Sequence, residues 1–164
     1  MSTQTFPASF DQLDAIREFV GQFARGISMD DREVYAVQMA VDEACSNIIE
    51  HAYEGIADGR IEITCESRKG DLNVYVRDWG KTFDPAIASE PNLSVSLNER
   101  KVGGLGIFLM RKMMDEVHYQ SEDGRGNLLK LVKRRGETKV RPGKKGRKAS
   151  WRDLLSLGVH FLSC

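Results

Sequence analysis

Cysteine, histidine and proline are scarce in this chain: 3 Cys, 3 His and 4 Pro among 164 residues. Cys45, Cys65 and Cys164 are scattered, odd in number and without CxxC spacing. Neither a disulfide framework nor, with so few histidines, a zinc framework is supported. Reduced thiols in a cytoplasm are the expectation. No window approaches the ~20 apolar residues that cross a bilayer. The opening MSTQTFPASF has no basic stretch followed by an apolar run, so a cleaved secretory signal is not expected. GxGxxG after a strand and the P-loop pattern GxxxxGKS/T are both missing, which disfavours a Rossmann domain and a P-loop enzyme. There is no internal repeat.

Net charge is absent as well, with 24 basic and 24 acidic residues. That balance hides an asymmetry. Residues 136–164 hold Lys139, Arg141, Lys144, Lys145, Arg147, Lys148 and Arg152 against Glu137 and Asp153, a net of +5, so residues 1–135 carry −5. KVRPGKKGRKAS has no apolar period and reads as a flexible linker before a short apolar WRDLLSLGVHFLSC. The domain organisation expected is one domain over 1–135 and a basic, flexible extension over 136–164. A basic arm for nucleic acid is the other reading of that extension. It lacks interleaved aromatics, and the −5 body counts against it, so no direct nucleic-acid contact and no membrane are expected.

The body has the composition of a soluble globular domain, 41% hydrophobic and 29% charged for the whole chain, and it is long enough to fold without a staple. Phe10, Leu13, Ile16, Phe19, Val20 and Phe23 repeat at helical steps. Ser9 with Gln12 has capping-box spacing, and Gly26 is a stop signal. Phe10, Phe19 and Phe23 are assigned to the core. A second helix is expected over about 30–53, with Val34, Val37, Val41, Ala44 and Ile48 as its buried stripe and acids in its first turns. Alternation over 60–67 and 71–77, separated by Lys69-Gly70, reads as a β-hairpin. Residues 84–102 have no period and form a connection of lid length. Gly103-Gly104 opens a third helix, and strands over 117–121 and 127–133 follow. Hairpins at both ends predict an antiparallel or mixed sheet with helices on one face.

Three clusters carry chemistry. Glu43, Asn47 and His51 are spaced by four residues in VDEACSNIIEHAY, a polar stripe beside the apolar one. A carboxylate and an amide there can hold a hard cation through oxygen, and Mg²⁺ needs only one or two such ligands. The same stripe also suits a solvated helix face. In VRDWGKTFDP, Asp78 at a strand end can accept from an exocyclic amine, and Gly80 allows close approach of a planar ring. An ordinary Asp/Gly turn reads the same way. In KVGGLGIF, Gly103, Gly104 and Gly106 straddle a helix start, whose free N–H groups suit an anion. Each is weak alone. Their order, with spacings of 35 and 25 residues (43 to 78, 78 to 103) and a lid-length loop before the glycines, is far more specific.

This constellation resembles the GHKL ATPases, the Bergerat-fold superfamily that includes histidine kinases and type II topoisomerases. Within it, DWGKTFDP and GLGIFLM followed by MDEV are similar to the stand-alone anti-sigma factor serine kinases of bacteria. The resemblance spans about residues 6–135. It implies an α+β fold, a two-layer α/β sandwich with a mixed, mostly antiparallel sheet and helices on one face. It implies ATP and Mg²⁺ as cofactors, with Asn47 on the metal, Glu43 as the base toward an acceptor serine, and Asp78 and Gly80 at adenine. Gly103, Gly104 and Gly106 would shape the phosphate lid, with Arg100 or Lys101 at the γ-phosphate. It implies as partners a sigma factor and a STAS-domain anti-anti-sigma protein, and a homodimer as the common assembly. The first box has one glycine rather than DxGxG, and no histidine precedes His51, which disfavours a sensor kinase. The competing reading is a nucleotide-gated binding module without significant kinase activity.

Overall fold

The structure is a computed structural model and describes residues 1–82, 105–122 and 126–136. The expected loop over 84–102 and the extension from residue 137 onward lie outside the described residues. Helix α1 spans Leu13–Gly26 and α2 spans Asp31–Asn47. Strands β2 (Arg60–Arg68) and β3 (Asp71–Asp78) form the expected hairpin. Helix α3 (Leu105–Met113) precedes β4 (Glu116–Glu122) and β5 (Gly126–Lys133). One further strand, β1 (Ser2–Pro7), was not read from the pattern of residues. The sheet order is β1-β2-β3-β5-β4, and all four pairings are antiparallel. Among the described residues every strand pairing of this α+β sheet is antiparallel.

Alternation decides which face of the sheet is dry. Ile61, Ile63 and Cys65 on β2, and Leu72, Val74 and Val76 on β3, are buried on one face and meet Leu131 of β5. On that face α1 packs against β2, α2 against β3 and α3 against β4. The apolar stripes of the helices complete the core: Ile16, Val20 and Ala24 from α1, Val34, Val37, Val41 and Ala44 from α2, Met110 from α3. Each fully buried aliphatic side chain contributes roughly 1.5–3 kcal/mol.

Local signals explain the element ends. Asp30 accepts from Glu33 N at 2.8 Å, and Glu33 Oε2 accepts from Asp30 N at 2.8 Å, a complete capping box at the start of α2. The box expected at Ser9 does not form. Its hydroxyl donates to Asp11 instead, and the chain enters α1 through a 3₁₀ turn, Phe10–Gln12. That tighter turn takes Phe10 off the helical stripe, and Phe10 is 53% exposed rather than in the core. Phe19 and Phe23 pack against the core as expected. Helix α1 does stop at Gly26, but the left-handed residue is Ser28 (φ 64°). Lys69 (φ 54°) and Gly70 (φ 92°) are both left-handed, so the β2–β3 hairpin closes through a two-residue type I′ turn.

Helix α2 does not run to Tyr53 as a regular α-helix. It ends at Asn47 and continues as a π turn, Ile48–Ala52, with Tyr53 N donating to Ile48 O at 3.0 Å. After β5, Arg135 N donates to Asp71 Oδ1 and Gly136 N to Glu33 Oε1. The segment after β5 is thus tied to the capped start of α2.

Candidate active site

Asp78 ends β3, opposite Ile61 on β2 and Asn127 on β5. Residues of one cross-strand row share a face, so Asp78 and Asn127 point to the helix side with the core. Both are buried, at 3% and 2% exposure. Asp78 Oδ1 accepts from Asn127 Nδ2 at 2.8 Å and from Gly80 N at 2.9 Å. Burial pushes the Asp78 carboxyl above its usual range, and these two donors only partly oppose that. The same Asn127 amide donates to Lys81 O at 3.2 Å. Its own Oδ1 is buried and lacks a partner among the described residues.

Asn127 was not singled out from the sequence. A signal was there: it precedes Leu129 and Leu131 at strand spacing, so it is a polar residue on a core-facing position. With Oδ1 of Asp78 occupied, Asp78 Oδ2 and Asn127 Oδ1 are acceptors that a buried donor would satisfy. This pair of acceptors fits a ring that carries an amine, as adenine does.

Glu43 and Asn47 sit one turn apart on α2, and Asn47 Nδ2 donates to Glu43 Oε1 at 3.0 Å. The nitrogen being committed, the Asn47 carbonyl oxygen is the atom with cation-binding chemistry. His51 does not join this pair. It lies in the π turn, whose wider winding rotates it off the stripe, and its ring is 63% exposed beside Glu50. Gly106 lies at the start of α3, where a Cβ would overlap the Glu43 carboxylate. With the Glu43 side chain in this position, the helix start approaches it through a residue that has no side chain. Gly103, Gly104, Arg100 and Lys101 lie outside the described residues.

Gly80 has a structural reason to be glycine. A Cβ there would stand 2.5 Å from Ala52 O. Lys81 N donates to that same oxygen at 2.8 Å, so the turn after β3 docks on the end of the π turn. Gly126 (φ 85°) opens β5 at a point where a Cβ would strike Asp78 O. Cys45, on α2 between Glu43 and Asn47, is no nucleophile: burial, with the charges of Asp42 and Asp78, pushes its thiol far up. Among the described residues no three His, Cys, Asp or Glu cluster as a metal site, and no helix is long and apolar enough to cross a membrane.

The sequence profile of the histidine kinase-like ATPase domain matches residues 6–133. The chain belongs to that family. This histidine kinase-like ATPase is also similar to protein kinases of known name. It is 35% identical over 125 residues, covering 72% of this chain and 76% of the relative, to the serine-protein kinase RsbW of Bacillus licheniformis. It is 30% identical over 122 residues, 72% of this chain and 76% of the relative, to RsbW of Bacillus subtilis. It is 32% identical over 94 residues, 57% of this chain and 66% of the relative, to the serine/threonine-protein kinase BtrW of Bordetella bronchiseptica. The enzyme class is accordingly that of the serine/threonine-protein kinases. In solved structures the fold recurs in the RsbU and RsbW domains of a Mycobacterium tuberculosis protein, with a TM-score of 0.58 and 15% identity over 82% of this chain and 32% of that one.

Proposed function

We propose that this histidine kinase-like ATPase is an ATP- and Mg²⁺-dependent protein serine kinase that acts as an anti-sigma factor. It phosphorylates a serine of a STAS-domain anti-anti-sigma partner and, in the alternative complex, sequesters a sigma factor. The observation that carries the nucleotide reading is the buried Asp78–Asn127 pair, two adjacent acceptors at the end of β3, beside the α2 helix that bears Glu43 and Asn47.

In this reading Asp78 accepts from the adenine amine, and burial excludes the water that would compete for it. Asn47 Oδ1 would hold Mg²⁺, which would supply neutralisation of phosphate charge. Glu43 accepts the proton of the acceptor hydroxyl as the serine oxygen bonds to the γ-phosphorus and the bond to the ADP oxygen breaks. The chain's contribution is chiefly placement and charge, as phosphoryl transfer requires. Gly103, Gly104 and Gly106 would cover the phosphates, and Arg100 or Lys101 would meet the γ-phosphate. The proposed boundaries are a catalytic domain over 1–135 and a separate basic extension over 136–164.

Calorimetry with ATP, with and without Mg²⁺, on wild type and Asp78→Asn tests the pocket. Mg²⁺-dependent binding that collapses in the variant is expected; a folded wild type that binds nothing would remove the nucleotide reading. Full transfer to the acceptor protein by Asn47→Ala would remove the metal role.

One observation favours the second reading, a nucleotide-gated module without kinase activity. Glu43 Oε1 accepts from Asn47 and is packed against Gly106, an arrangement that engages one of the two oxygens of the base. Tight ATP binding with no acceptor phosphorylation in a long incubation would select it.

A further inference from the structure

Tyr53 is buried at the end of the π turn, 7% exposed, with its ring against Gly59, where a Cβ would come within 2.6 Å of it. Its hydroxyl accepts from Trp79 N at 2.9 Å and donates to Arg60 O at 2.7 Å. Arg60 and Trp79 each lie one residue beyond Ile61↔Asp78, the last registered pair of the β2–β3 ladder. A single side chain from the α2 continuation therefore bridges the two strands at the point where β3 leaves the sheet. The next residues are fixed to the same place: Gly80 packs on Ala52 O, and Lys81 N donates to it. Asp78 is thus held from one side by β5 through Asn127 and from the other by Tyr53 through its chain neighbour.

The other end of the same element carries Glu43 and Asn47. Five backbone steps, wound as a π turn closed by Tyr53 N on Ile48 O, separate Asn47 from Ala52. π turns inside helices are uncommon, and they concentrate at functional sites. Here the extra width brings residues 52 and 53 onto the β3 exit while Asn47 stays on the α2 stripe.

We infer that Tyr53 is a positioning residue. Its hydroxyl fixes the Asp78–Gly80 segment relative to Asn47 and Glu43, and so sets how well one ligand can satisfy both ends at once. Tyr53 itself touches neither end of that ligand. The inference rests on the nucleotide reading above. Its signature is a loss that appears when the two ends are linked and not when one is probed alone.

The test is Tyr53→Phe, which keeps the ring on Gly59 and removes both hydroxyl bonds. Mg·ATP and adenosine affinities are measured for wild type and variant. The variant is expected to bind Mg·ATP about tenfold more weakly, the scale of one net hydrogen bond, while adenosine affinity changes less than about threefold. Unchanged Mg·ATP affinity overturns the inference, and so does an equal loss for adenosine, which would place the effect in the base pocket alone. A folded wild type that binds no Mg·ATP removes the nucleotide reading itself, and this inference with it. Should the variant not fold, hydrogen exchange of the Trp79 amide in wild type decides: added protection on Mg·ATP binding supports the coupling, and unaltered protection overturns it.

Discussion

Asn127 Nδ2 donates to Asp78 Oδ1 at 2.8 Å across the β3–β5 pairing, with both residues almost fully buried. A carboxylate held this way is useful to a ligand and costly to the empty protein. The Asp78 carboxyl is raised by burial, so its ionisation favours the unfolded chain. Its contribution to stability is complete below the unfolded value of about 3.9 and is lost as pH rises through the higher folded value. Asp78→Asn keeps the Oδ1 acceptor and removes the charge. Urea unfolding should show the variant at least as stable as wild type at pH 7, with its advantage shrinking toward pH 4, while ATP binding is lost. A variant less stable by the same amount at every pH would contradict the burial argument.

Asn127→Ala removes one of the two donors to Asp78 Oδ1 and opens a buried void. A loss of roughly 1–3 kcal/mol is expected in denaturant unfolding. In a double-mutant cycle with Asp78→Asn the effects should not add, with a coupling of about 0.5–3 kcal/mol. Additivity would mean that the two side chains act independently.

Glu43→Gln retains the shape and the bond from Asn47 but cannot take a proton. Acceptor phosphorylation should fall by about 10²–10⁴ with ATP affinity nearly unchanged, read by single-turnover transfer and calorimetry. Gly106→Ala should also lower transfer, because the new methyl occupies the space of the Glu43 carboxylate. It should do so although Ala favours a helix over Gly by about 1 kcal/mol. Normal transfer by Gly106→Ala would show that α3 yields instead.

What the sequence disclosed was what neighbours in the chain decide. The stripe Val34, Val37, Val41, Ala44 and the alternation of Ile61, Ile63, Cys65 are local periods, and each became the buried face it implied. Strand β1 was missed because Ser2–Thr5 are exposed on an edge and only Phe6 is buried; its pairing partner lies about sixty residues away. The same distance in sequence hid the second half of the candidate site. Asp78 and Gly80 could be named from their motif, but Asn127 matters only through register with β3, and Tyr53 only because a π turn replaces the last α turn. The stripe of Glu43, Asn47 and His51 was sound for its first two members and failed where the winding changed.

The β2–β3 turn offers a prediction independent of any ligand. Both central residues are left-handed, and Lys69 is the one with a Cβ to accommodate. Lys69→Asn should raise stability by a few tenths of a kcal/mol, since Asn tolerates that conformation. Gly70→Ala should lower it by about 1 kcal/mol, through the backbone and through crowding of the Arg135 guanidinium. Thermal melts of the two variants should move in opposite directions.

Four of the five strands form two local hairpins joined along one seam, and β1 adds to the β2 edge. Strands β2 and β3 are linked by a two-residue turn, β4 and β5 are also sequence neighbours, and β3 against β5 unites them. Local pairs close early in folding and distant ones late, because the entropy of the intervening chain must be surrendered first. Asp78 and Asn127 face each other on that seam. Neither hairpin carries both residues, so this pair is assembled in the step that joins the two hairpins, and a ligand held by it would act as a clasp against their separation.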